Sequence, residues 1–443
     1  MDRQRIYTFD IVKGIAILFV IPLHALIYQI GKNDPTLYEP IISNLSREIL
    51  FVLAPIVLLS LWGPIFTLIT GANIAYGFLR VYKRNPDDSS AYILRRILTA
   101  SLLIFVARMA VFIFEDGIIQ YSTSNTVSFR VRYYADTLDS IALINIIVPL
   151  FILFIINHGR ARFVGKSKEE LGNSIKPRHI YIGLGIITAL WFLFTPVVHT
   201  LKPYVEAVTT KHNWKLLLFI YSKLTNGRFR FFPVLGFGYI GAIIGAAIHY
   251  QEKYQNIRRY TVLFFIIALL SFIVWCFLTE NPIGDVSTDN ISIMFMILIL
   301  GSMALAMVLM LGRFDFCPDD RRERRIKRTL FVRRFSIVTL TIYIMEFVLA
   351  YCVYLFFEWY WETAVQYVNQ VPVLTWGLTQ IFTFMLIVSF IWVVIVKFWE
   401  KVDFIGSLEW MTIKLGAMFR GEHHIRINSQ WILYGHRDKY SNI

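Results

Sequence analysis

Charge is scarce in this chain. Asp, Glu, Lys and Arg make up 17% of its 443 residues, against about 25% in a typical soluble domain. That shortage excludes a disordered, charge-swollen chain. Cysteine is scarcer still. Cys276, Cys317 and Cys352 form no CxxC pair and no metal-ligand spacing, so neither a disulfide scaffold nor a zinc module is in view. There is no Gly/Ser or Pro-rich linker, and no repeat of 20–50 residues that would mark a solenoid. GxSxG, Walker, HExxH and GxGxxG patterns are missing from any context that would make them work.

Apolar sequence is abundant instead. Hydrophobic residues reach 56%, aromatics 16%, and the mean hydropathy is +0.57. About 20 apolar residues carry a helix across a hydrocarbon core of about 30 Å. Ten stretches qualify, near 10–30, 51–79, 93–115, 134–157, 180–200, 231–250, 260–279, 290–312, 335–357 and 372–398. The expected fold is therefore an all-α polytopic integral membrane protein of about ten spans. Residues 1–400 form its transmembrane domain and 401–443 a cytoplasmic tail, in which GSLEWMTIKLGAMF (406–419) lies along the interface. The opening MDRQRIYTF is basic and then apolar, like a signal peptide. The apolar run is too long, and no small-residue cleavage site follows, so it reads as a retained first span. The second stretch is long enough to tilt, or to break at Pro55 or at Gly63-Pro64. Gly236, Gly238, Gly241 and Gly245 in GFGYIGAIIGA read as a small-residue packing face.

The net charge of +14 would suggest nucleic acid in a soluble protein. In a membrane protein it first reports topology. With the N-terminus inside, the cytoplasmic segments hold 33 Lys and Arg and the external loops 10, which predicts both termini in the cytoplasm and no nucleic-acid partner. One external loop, 201–230, breaks the pattern with six basic residues. The run RRERRIKR (321–328) is read as a topology determinant touching anionic lipid, with a phosphate-bearing ligand as the alternative.

Ionisable groups within spans are costly and default to functional hypotheses. His24 lies deep in the first span, eleven residues after Lys13. Eleven helical steps return to within about 20° of the same face and rise about 16 Å. One face thus offers a cation near the cytoplasmic surface and an imidazole half a membrane higher, which suits a thioester on a long phosphate-ended arm. A snorkelling lysine and a structural histidine are the plainer alternative. The hairpin 70–98 gathers Arg80, Lys83, Arg84, Arg95 and Arg96, a set that fits either nucleotide phosphates or topology. Arg108, Glu115 and Asp116 follow on the third span, and Asp136, Asp139 and Asn145 open the fourth. An Arg108 without a carboxylate partner would be costly. Glu346, isolated in TIYIMEFVLAY, has two candidate roles: orienting an imidazole or pairing with Arg108.

These residues carry a resemblance. RIYTFDIVKGIAILFVIPLHALIY resembles the opening of the transmembrane acyltransferase superfamily (the acyltransferase-3 and heparan-α-glucosaminide N-acetyltransferase-like proteins), in which Arg or Lys, ten residues and His mark the first span. ITGANIAYGFLR…YILRRIL, YADTLDSIALINIIVPL, RRFSIVTLTIYIMEFVL and WEKVDFIGSLEW resemble later segments in the same order, over residues 5–410. Lys13 stands where Arg is commoner, Ser407 where Pro is usual, and Met345-Glu346 where relatives often carry Leu-His.

The resemblance implies transfer of an acyl group, acetyl above all, from cytoplasmic acyl-CoA to a hydroxyl or amine of an extracytoplasmic sugar or glycolipid. Lys13, Arg80, Arg84, Arg95 and Arg96 would hold the acetyl-CoA phosphates. His24, with Glu346 and Arg108, would do the chemistry as general base or, alternatively, as acyl-carrying nucleophile. No metal is expected, membrane lipid surrounds the chain, and a homodimer is left open. The plasma membrane is the expected location. A transporter or flippase of a lipid-linked or anionic solute is the rival class, although paired Gly/Pro-interrupted spans are not found. A scaffold or sensor on a degenerate acyltransferase fold is a third.

Overall fold

A computed structural model describes residues 5–30, 63–111, 135–160, 177–227, 229–285, 290–368, 371–418, 427 and 429–434. Among them, nine helices are long and apolar enough to cross a membrane. The chain is an all-α polytopic membrane protein, with two two-stranded hairpins as its only described sheet. It divides into two compact units, one made of residues 1–63 and 313–443, the other of 64–312.

The second unit opens with α2 (Ile65–Arg84) and α3 (Asp88–Val111), after α1 of the first unit (Tyr7–Ala25). It continues through α4 (Thr137–Arg160), α5 (Pro177–Thr200), α6 (Lys202–Lys211), α7 (Lys215–Thr225), α8 (Phe231–His249), α9 (Tyr254–Leu278) and α10 (Ile293–Phe314). Between α9 and α10, β1 (Gly284–Asp285) pairs antiparallel with β2 (Asn290–Ile291). Helix α2 starts directly after Pro64, whose ring suits a helix start. The expected third span is the 24-residue α3. Pro55, Glu115 and Asp116 lie outside the described residues.

The glycine face of α8 packs against α2 as its sequence suggests. A Cβ on Gly241 would sit 1.9 Å from the Leu68 carbonyl oxygen, and one on Gly245 2.1 Å from that of Ala72. A Cβ on Gly71 would sit 1.9 Å from the Gly238 oxygen. Backbone meets backbone here, so no side chain can swing away. Gly241→Ala is expected to destabilise the purified protein by about 1–3 kcal/mol, as overpacked cores are. A thermal unfolding midpoint in detergent equal to wild type would show that these helices slide apart freely.

In the first unit, α1 continues past Ala25 as a five-residue π-helical turn, Leu26–Ile30. It packs against α12 (Leu330–Ile337), α13 (Thr339–Trp361) and α14 (Leu378–Glu400), around a core that includes Ile17, Ile21, Phe335, Ile342, Phe384 and Val388. The remaining elements are α11 (Asp319–Arg328), the antiparallel pair β3 (Val365–Val368) and β4 (Val371–Leu374), α15 (Leu408–Met418) and α16 (Ser429–Tyr434). The RRERRIKR run lies on α11, which buries no residue.

Two helices of this unit have no capping side chain of their own and borrow one from a distant carboxylate. Asp315 accepts the Tyr7 and Thr8 amides at 2.9 Å and the Thr8 hydroxyl at 2.5 Å, which caps α1. Glu409 accepts the Leu340 amide at 2.5 Å and the Thr341 hydroxyl at 2.6 Å, which caps α13. A negative charge at a helix N-terminus also answers the macrodipole. Burial raises both carboxyl pKa values, and the donated hydrogen bonds oppose that rise. Arg333 is 1% exposed and donates to the Leu433 carbonyl at 3.0 Å and to the Ile432 carbonyl, with its guanidinium 4.7 Å from the centre of the Tyr7 ring. Burial lowers its pKa. Residues after 400 are thus tied into the helices of the first unit. Asp403 holds the Ser429 hydroxyl, and Glu400 accepts from Arg334 at 2.6 Å and from Tyr434 at 2.9 Å.

Candidate functional site

Two long apolar helices bring the strongest pair of candidates together. His24 sits in the last turn of α1, two residues after Pro22, where the helix hands over to the π turn. Single-turn π segments inside helices are frequent at functional sites. Glu346 lies a third of the way along α13, 2% exposed. Nδ1 of His24 contacts Oε1 of Glu346. Of the two roles open to Glu346, the geometry gives the one toward the imidazole.

Burial within the pair is unequal. The imidazole side chain is 18% exposed and the carboxylate side chain 3%. The ring is therefore reachable while the acid behind it is not. Tyr28 and Tyr343 meet the ring edge-on, at centroid distances of 5.1 and 5.8 Å, and restrict its rotation. Gln29 adds a second tie between the π turn and α13, donating to the Phe347 carbonyl at 3.3 Å. An ionised carboxylate has no proton to give, so it accepts Nδ1–H and leaves Nε2 as the ring's basic nitrogen. Glu346 Oε2 is buried with no hydrogen-bond partner among the described residues.

Lys13 is half-buried, two turns into the same helix α1. Its charge acts on Glu409, whose carboxylate also caps α13. Lys13 and His24 thus share α1, Thr341 and Glu346 share α13, and Glu409 on α15 meets Thr341.

The other candidate cations lie in the second unit. Arg84 and Arg95 are exposed, and Arg80 is half-buried. Arg96 is half-buried, with its guanidinium 5.1 Å from the Tyr92 ring centre and 3.5 Å from Asn145 Oδ1. At the same end of α2 and α8, the Arg80 and Lys83 charges act on His249, whose ring meets Tyr76 and Tyr250 edge-on at 6.3 and 5.0 Å. Arg108 has the carboxylate partners its position demands. It reaches Asp139 at 2.6 Å and Asp136 at 3.0 Å, and Lys223 joins Asp139 at 2.7 Å. This is an ion network tying α3, α4 and α7.

The capping roles of Asp315 and Glu409 and the buried Arg333 were not evident as such in the sequence. Glu409 and Arg333 stand in segments singled out above, SLEW and RRFSIVTLT, whereas Asp315 carried no local signal. No group of three or more His, Cys, Asp or Glu is placed to hold a metal among the described residues. No protein-family model, curated protein or solved structure matches the chain.

Proposed function

We propose that this protein is an acyl-CoA-dependent O- or N-acyltransferase of the membrane. It moves an acyl group, acetyl by preference, from a cytoplasmic donor to a sugar or glycolipid on the other side. The observation that carries this reading is the His24–Glu346 pair: a reachable imidazole backed by a buried carboxylate, on the helix that also bears Lys13. The order of the acyltransferase-like segments supports it. Both termini face the cytoplasm in this proposal, in line with the 33-to-10 distribution of basic residues, and the membrane is the plasma membrane.

In the reaction, His24 Nε2 takes the proton of the acceptor hydroxyl or amine. The acceptor atom attacks the thioester carbonyl, and the C–S bond breaks. The departing thiolate receives the proton from the imidazolium, so free CoA thiol and acylated product leave a neutral His24. Glu346 accepts Nδ1–H throughout, and its charge favours the imidazolium that forms. Lys13 supplies a cation for the donor phosphates on the first unit, and Arg80, Arg84, Arg95 and Arg96 are the candidates for that role on the second.

Donor binding tests this directly. A ligand that binds the native state alone stabilises it by about 2.7 kcal/mol at 100 times its dissociation constant. Acetyl-CoA is expected to raise the unfolding midpoint of the purified chain, with a weaker effect in Lys13→Ala. Absence of any shift with acetyl-CoA or CoA at millimolar concentration would overturn the proposal. Release of free CoA thiol on adding an acceptor separates transfer from transport.

A further inference from the structure

Helix α7 is inside out. Ser222, Lys223 and Thr225 are 2%, 7% and 2% exposed, while Leu216, Leu217 and Ile220 are 73%, 44% and 48% exposed. A surface helix in water shows the opposite pattern. The buried polar groups are satisfied: Lys223 meets Asp139 at 2.7 Å, and the Thr225 hydroxyl donates to the Tyr221 carbonyl at 3.1 Å. Ser222 and Thr225 lie on the side of the helix opposite Leu216 and Ile220, whereas Lys223 follows Leu216 on the same side and is buried at the inner end of the helix by Asp139. An exposed surface of leucine and isoleucine is stable where the surroundings are hydrocarbon.

Length excludes a span. The eleven residues of α7 rise about 16 Å, roughly half of the hydrocarbon core. Helix α6 follows the spanning helix α5 after Leu201 alone. The lipid-type surface of α5, with Leu193 69%, Phe194 51% and Val197 49% exposed, runs directly into this hairpin. At the turn between α6 and α7, Lys211, His212, Trp214 and Lys215 are all exposed, and the His212 ring stacks on Trp214 at 5.2 Å. Cations beside an indole are the composition of the headgroup layer, and anionic headgroups attract such cations at about 1 kcal/mol each.

We propose that the hairpin 202–225 lies in the bilayer leaflet where α5 ends, with the apolar face of α7 in the acyl region and Lys211 and Lys215 on the phosphates of anionic phospholipids. The proposal also accounts for the one loop that defies the charge count. Of its six basic residues, Arg228 lies outside the described residues, and Lys223 and Arg230 are buried and held by Asp139 and the Ile291 carbonyl. Lys202 is half-buried, and Lys211 and Lys215 are exposed. This inference is independent of the acyltransferase reading.

The test uses the full chain in phosphatidylcholine nanodiscs with and without phosphatidylglycerol. A nitroxide on Leu216→Cys or Ile220→Cys, with Cys276, Cys317 and Cys352 replaced by Ser, should be more accessible to oxygen than to a water-soluble nickel chelate. A nitroxide at Thr210 should show less preference for oxygen. Greater nickel than oxygen accessibility at both 216 and 220 would overturn the proposal. Amide exchange of the unmodified chain gives a second readout that needs no label. Exchange of residues 215–225 should slow when phosphatidylglycerol is added, and Lys211→Gln/Lys215→Gln should remove that slowing. Equal exchange in both lipids would overturn the headgroup assignment.

Discussion

His24→Ala is expected to lower acyl-transfer turnover by about 10²–10⁴-fold, the usual contribution of a positioned general base, with acetyl-CoA affinity unchanged. Donor affinity should survive because the imidazole works at the thioester end, whereas Lys13 lies eleven residues, or about 16 Å, further down the helix. Glu346→Gln is the informative companion. Its amide oxygen can still accept Nδ1–H, so the ring stays oriented, but the charge that favours the imidazolium is gone. Turnover should fall less than in His24→Ala, whereas that of Glu346→Leu, which cannot accept Nδ1–H, should fall further. A merely structural Glu346 would lower stability without separating the turnover of the two variants. Brief incubation with labelled acetyl-CoA separates base from nucleophile: label retained on wild type but not on His24→Ala would convert the mechanism to an acyl-imidazole relay. Full turnover by His24→Ala would end the catalytic reading of this pair.

Much of the fold was legible because apolar run length is a direct physical signal. Each of the ten expected spans has a helical counterpart among the described residues, the second in Ile65–Arg84. The third is the 24-residue helix α3. The hairpin of α6 and α7 was not legible. KLLLFIYSKLT is too short for a span, and its inverted burial follows from Asp139 drawing Lys223 inward, a contact across 84 residues. The candidate site divides the same way. His24 and Glu346 each stood out as ionisable groups in apolar sequence, but their pairing spans 322 residues, and no local pattern encodes it. Asp315 and Glu409 escaped notice as caps because α1 and α13 lack a capping residue at their own starts, and the compensation comes from elsewhere in the chain.

Asp139→Ala is expected to be the most destabilising single change in the second unit, at about 3–5 kcal/mol, the cost of breaking a buried ion pair by removing one partner. One oxygen of Asp139 meets Arg108 at 2.6 Å and Lys223 at 2.7 Å and accepts the Asp136 amide at 3.2 Å. The Lys223 side chain is 9% exposed, so it gains little from water when its carboxylate is removed. Asp136 lies on Arg108 at 3.0 Å. Its linkage also has the opposite sign to that of a stabilising carboxylate. Burial first, and then the Asp139 charge, raise its pKa above 3.8, so its contribution is fully present below that value and is lost as pH rises through the folded pKa. Removing the Asp139 charge takes away one cause of that rise, and the acid-side gain should shrink in the variant. Asp320→Ala is the control. Its partner Arg324 lies 3.5 Å away with the side chains 69% and 73% exposed, and such pairs contribute about 0–1 kcal/mol. Equilibrium unfolding of both variants in mixed micelles reads the contrast. An Asp139→Ala loss no larger than that of Asp320→Ala would mean that the network is solvated and that α3, α4 and α7 are held together by apolar packing alone.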